Sequence, residues 1–151
     1  MSRRIIVGSA AALVILGGAG AFALAHAEEQ PPVLENSTAR YSAPPAGDRE
    51  GSFTFTTDVK AASGVKSLNV LAWPAAGPFT KNPLTKKELA GVDSATCKPA
   101  GEDTVHCTYK VTVSAAEAAD SGTGRWYVAT LATAGNGDTT FNDKTATFTV
   151  G

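Results

Sequence analysis

The chain has little of what metal centres, redox sites and charged interfaces are built from. Its 151 residues hold two cysteines and two histidines. A catalytic dithiol is usually spaced C-x-x-C and a structural zinc site takes four Cys/His ligands. Cys97 and Cys107 are too far apart for the first, and they have only His106 for company beyond the leader. No metal ligands and no cofactor are therefore expected. Charged residues make up 18% of the chain and form no basic cluster. Nucleic acids and anionic membranes are recognised through clustered Lys and Arg, so neither is expected as a partner. Sustained helical periodicity is also missing beyond the leader, which excludes an α/β protein. No internal repeat is visible.

Catalytic constellations are equally thin. A Ser-His-Asp triad needs a base, and His106 lies on the strand parity opposite Val105, Cys107 and Tyr109, which points it to solvent. Glu102 and Asp103 are sequence neighbours in a turn, where carboxylates are ordinarily just solvated. Gly135–Asp138 and Asn142-Asp143 offer oxygens without the alternating acidic pattern of a calcium loop, and read as hairpin turn. No catalytic residue is assigned, and the chain reads as non-enzymatic.

What is present begins with a leader. Arg3 and Arg4 precede an apolar run, Ile5–Ala25, followed by Ala25-His26-Ala27 and two acids. This is the pattern of a secretory signal over residues 1–27, cleaved after Ala27 or, alternatively, after Ala25. The run also suffices to span a bilayer, which takes about 20 residues, so a retained N-terminal anchor is the other reading. Loss of Arg3 and Arg4 with the leader leaves 11 basic against 14 acidic residues, a net charge of −3. The expected location is secreted, extracellular, without membrane attachment once the signal is removed.

The remainder is organised around Thr96–Val113. Val105, Cys107, Tyr109, Val111 and Val113 alternate with polar residues, as in a strand with one buried face. Lys98–Thr104, with Pro99 and Gly101, reads as the connecting loop. Folding back there sets Cys97 opposite Cys107, within disulfide reach, and closing so short a ring adds about 3 kcal/mol.

Other strands are expected at Val33–Tyr41 (a possible edge strand following a tether, within residues 28–50), Ser52–Lys60, Val65–Trp73, Gly124–Thr133 and Thr145–Val150. Leu71 and Trp73 break the alternation of Val65–Trp73, which implies cover on both faces or a nearby loop crossing. Gly124–Thr133 is apolar on both faces and suits a central strand. Thr85–Glu88 and Ser114–Glu117 have capping-box spacing and open short helical turns. About seven short strands with turns roughly every ten residues describe one all-β antiparallel sandwich over residues 51–151.

Asp120-Ser121-Gly122 leading into Trp126-Tyr127-Val128 resembles the approach to the penultimate strand of immunoglobulin-like domains. That resemblance implies a polar tie from Trp126 or Tyr127 back to the preceding loop. The cysteines depart from the antibody pattern, being too close in sequence to join two sheets. The chain is also similar to a family of small secreted actinobacterial proteins known only as a domain of unknown function. The similarity is carried by Ala95-Thr96-Cys97, Cys107-Thr108-Tyr109, Ser114–Ala119, Gly124–Val128 and Thr147–Val150, and it brings no activity with it.

Trp73 and Phe79 flank the Pro-rich loop Pro74–Pro83 and are the candidate binding residues. They suit either a recognition surface or a plug at one end of the sandwich, whereas Trp126 reads as core. The expected function is a secreted immunoglobulin-like binding or adhesion module at the cell envelope, its partner a protein or a cell-wall polymer. The alternative is a protease-inhibitor-like protein presenting Pro74–Pro83 or Lys98–Asp103.

Overall fold

The computed structural model describes residues 30–47 and 49–151. The leader assigned to residues 1–27 lies outside the described residues. In chain order the elements are β1 (Val33–Ser42), β2 (Gly51–Lys60), β3 (Val65–Pro74), a 3-10 turn (Pro78–Thr80), α1 (Lys86–Ala90), β4 (Thr96–Gly101), β5 (Thr104–Val113), α2 (Ala115–Ser121), β6 (Gly124–Ala134) and β7 (Thr139–Val150). They form two antiparallel sheets with strand orders β1-β2-β5-β4 and β3-β6-β7. This is the strand order of the constant-type immunoglobulin sandwich.

Period-two patterning builds the core. Phe53, Phe55 and Val59 of β2 face Leu68 and Val70 of β3 and Val128 and Ala132 of β6, with Cys107 of β5 among them. Two threonines are buried in this setting, and each is satisfied beside a bulge. The Thr57 hydroxyl donates to the Glu35 carbonyl at 3.0 Å and lies 2.7 Å from Ser37 Oγ, where β1 slips register between Glu35 and Thr38. Thr130 Oγ1 lies 2.6 Å from Thr145 Oγ1, where β7 slips against β6. A bulge bends a strand and leaves polar groups unpaired locally, which supplies partners for a hydroxyl that would otherwise cost energy to bury.

The opposite parity of β3 and β6 packs as well. Trp73, Ala129 and Leu131 form a second cluster with Leu84 and Leu89, so the β3-β6-β7 sheet is covered on both faces. Thr85 caps α1 in a reciprocal box with Glu88, and Gly91 closes the helix. Leu89 is its one fully buried side chain, contributing about 1.5–3 kcal/mol by transfer from water. The apolar parity of Leu71 and Trp73 thus reflects cover on both faces.

Two expectations are corrected. Lys98–Thr104 is not a loop: β4 runs to Gly101, and Glu102 and Asp103 alone make the turn, Asp103 at φ 58°. Cys97 and Cys107 are 4.0 Å apart at Cα, the close spacing of a pair without mutual backbone hydrogen bonds. Pro99, two residues on, therefore turns its missing N–H away from β5, where an edge strand loses nothing by it. The last strand is longer than Thr145–Val150 because it starts at Thr139. Its register jumps from Thr130↔Asn142 to Val128↔Ala146, and that bulge hides the first half from an alternation count.

Candidate functional site

Trp73 is 4% exposed and belongs to the second apolar cluster, not to a surface. Its indole N–H donates to the Asp143 carbonyl at 2.9 Å. This bond ties β3 to β7 and is a different contact from the tie to the preceding loop expected of Trp126 or Tyr127. Tyr127 packs on Trp73 at 4.9 Å between ring centroids, and Lys144 Nζ lies 4.9 Å above the Tyr127 ring. Phe79, held by the 3-10 turn, meets Trp73 edge-on and is half-buried. The pair therefore plugs the outer side of the β3-β6-β7 sheet; Trp73 has no ring face to offer a partner.

Cys97 and Cys107 are joined, as their mirror placement predicts, and no cysteine is free. They pair β4 to β5 within one sheet. The bridge leaves Lys98–Asp103 as a paired strand and a two-residue turn, so Pro74–Pro83 is the candidate inhibitory segment that remains a loop.

His106 is half-exposed, as its parity requires, and its Nδ1 lies 2.7 Å from Asp58 Oδ1. Asn36 donates to the other oxygen of Asp58 at 3.0 Å. The hydrogen bond with His106 and then that with Asn36 hold the Asp58 carboxyl below the usual aspartate range. In register, His106 is flanked by Asp58 and Lys98 on the outer sheet face. Among the described residues, no group of three or more His, Cys, Asp or Glu side chains could hold a metal ion.

A concave, largely apolar feature lies between the sheets, at the end where β2 begins and β5 ends. It is a groove of about 230 Å³ bounded by Tyr41, Phe53, Tyr109, Val111, Val113, Leu71, Ala72, Trp126, Phe148 and Val150, with Ser121 of α2 at its lip. Phe148 is its hub: its ring centroid is 4.7 Å from Phe53, 5.9 Å from Trp126 and 6.3 Å from Tyr41. Phe53 meets Tyr109 at 6.3 Å, near edge-on. Trp126, expected in the core, is half-buried on this wall. Burial first, and then the Asp93 carboxylate, push the Tyr109 hydroxyl above the ordinary tyrosine pKa.

The groove exists because β4 is short. It begins at Thr96, opposite Thr108, so among the described residues the rest of β5 has no strand on that side, its other edge being paired with β2. The segment just before β4 crosses to the other sheet: Val70 N–H donates to the Asp93 carbonyl at 3.1 Å and Ala95 N–H to the Leu68 carbonyl at 2.8 Å. One extended stretch, Asp93–Gly101, thus closes half of this side of the sandwich. The other half, between Leu71-Ala72 and Tyr109–Val113, stays open. Tyr109, Val111, Val113, Leu71 and Trp126 read in the sequence as strand and core positions and none of the groove residues as a site, because an inward apolar side chain on a strand reads as core.

These features define an all-β, disulfide-bridged immunoglobulin-type sandwich with an apolar groove at the inter-sheet edge. Residues 34–132 match a family of unknown function (DUF5707), and the chain belongs to that family. The matched stretch runs from β1 into β6 and takes in the disulfide and most of the groove wall. No curated protein and no solved structure matches the chain.

Proposed function

We propose that this protein is a secreted, non-enzymatic immunoglobulin-like binding or adhesion module of the cell envelope, and that it engages its partner through the inter-sheet groove. The observation that carries the reading is the groove itself. A sandwich of this kind ordinarily closes its core, and here five aromatic rings border an opening between the sheets. Aromatic side chains supply large contact area at low entropic cost, which suits recognition. Secretion is supported by the leader pattern and by the Cys97–Cys107 bridge, a bond that persists in oxidising compartments. No helix among the described residues is long and apolar enough to cross a membrane. The partner is an envelope protein or a cell-wall polymer.

The test is retention of the protein on purified cell walls and on envelope proteins, compared with an Ala72→Phe variant that fills the groove. Retention that drops at least tenfold in the variant supports the reading, and retention unaffected by it, or none at all, overturns it. Protein recovered from culture supernatant should begin at Glu28.

A further inference from the structure

The open half of the groove is bordered by backbone as well as by rings. Because Cys97 and Cys107 form a pair without mutual backbone hydrogen bonds, the antiparallel alternation turns His106 and Thr108 towards β4. Continuing it turns the N–H and C=O of Lys110 and Thr112 to the same side, beyond the point where β4 begins. Among the described residues no strand lies there. On the facing sheet, Leu68 and Val70 spend their outward groups on Ala95 and Asp93, and the next residue of that parity at the edge, Ala72, borders the groove. The side chains of Tyr109, Val111 and Val113 point inward along the same lane.

We infer that this lane binds an extended peptide strand, added alongside Tyr109–Val113, with apolar residues facing the groove and an acidic residue opposite Lys110. The inference rests on the reading of the groove as a recognition surface and names the class of partner. Three observations carry it. The neighbouring half of the same edge is already occupied by an extended stretch of this chain, Asp93–Gly101, bonded to both sheets, so a peptide there continues an existing strand interface. A volume of 230 Å³ is below that of a typical small-molecule pocket but large enough for one or two apolar side chains. Lys110 is exposed on the outer face of β5, beside the open lane. Residues directly opposite across a ladder share a face, so the peptide residue bonded to Lys110 points outward with it, where an acid meets the Lys110 ammonium. Backbone bonds then supply affinity, and alternate side chains supply selectivity.

The experiment uses the protein without residues 1–27 and a synthetic peptide, acetyl-Thr-Val-Glu-Val-amide, whose Glu falls opposite Lys110 and Thr opposite Thr112. Amide exchange at Lys110 and Thr112 should slow at least tenfold on saturation with the peptide. Methylating the nitrogens of the outward Glu and Thr should weaken binding about tenfold or more, since those groups bond to β5. Methylating the two Val nitrogens, which face away, should not. Lys110→Glu, an exposed change, should reverse the preference towards a peptide with Lys in place of Glu. No protection at Lys110 and Thr112, or equal loss from either methylation, overturns the inference, as does protection arising from self-association without peptide. If Ala72→Phe abolishes retention on walls or envelope proteins while the peptide protects nothing, the strand inference falls and the binding reading stands.

Discussion

The rings of Trp73 and Phe79 meet edge to face, with centroids 6.0 Å apart and planes at 88°. Trp73 is buried beneath Phe79 and tied to Asp143 through its indole N–H, whereas Phe79 keeps one side in solvent. Truncating a fully buried aromatic costs about 3–5 kcal/mol, and a half-buried one about half of that. Trp73→Ala should therefore lower the unfolding free energy by about 3–5 kcal/mol and Phe79→Ala by about 2 kcal/mol, read from urea curves. A Phe79→Ala change below about 0.5 kcal/mol would show that the ring is no part of the plug.

The Cys97–Cys107 bridge joins the edge strand to its neighbour across a sequence separation of 10. Closing so short a loop restricts the unfolded chain by about 3 kcal/mol. A Cys97→Ala/Cys107→Ala double variant should remain folded, because β4 packs only Cys97 against the core, and should lose about 2–3 kcal/mol. Non-reducing peptide mapping of the wild type should recover the two cysteines in one linked fragment. Free thiols in protein from an oxidising compartment would contradict the bridge.

Asp58 contributes a pH dependence of definite sign. Its folded pKa is depressed by hydrogen bonds from His106 and Asn36, so its stabilisation is complete above the unfolded aspartate value, about 3.9. It is lost as pH falls through the lower folded value. The pair is partly open to solvent, 50% for His106 and 27% for Asp58, so screening limits the effect to under about 1 kcal/mol. Between pH 5 and pH 2.5 the wild type should lose more stability than Asp58→Asn. Parallel curves for the two proteins would refute the assignment.

Gly51 opens β2 with no room for a side chain. A Cβ there would run into the Ser42 carbonyl oxygen and the backbone of Ala43 and Pro44. These are main-chain atoms at the turn joining β1 to β2, and they cannot rotate aside. Gly51→Ala should cost more than about 2 kcal/mol and loosen β1, seen as faster amide exchange at Arg40 and Ser42. Gly64→Ala offers a contrast: its Cβ meets nothing, and its penalty comes from φ +87° alone, about 1 kcal/mol.

The features that the amino-acid sequence determined by itself are those set by local periodicity and short-range hydrogen bonding. Alternation places Phe53, Phe55 and Val59 on one face of β2, because a strand turns successive side chains to opposite sides. The boxes Thr85–Glu88 and Ser114–Glu117 form because three residues suffice to bring side chain and backbone together. The cysteines face one another because they flank a short hairpin, with a one-residue slip between Pro99 and Gly101 setting Cys97 opposite Cys107. Other features have no local signature. Pro99 sits in a strand because that strand is an edge and its nitrogen faces outward. Trp73 and Phe79 form a plug because α1 and the 3-10 turn fold back over β3 and β6. The groove brings Tyr41, Phe53, Tyr109, Trp126 and Phe148 together from five different strands. Its opening depends on where β4 begins against β5, a long-range register that only the packing of the two sheets decides.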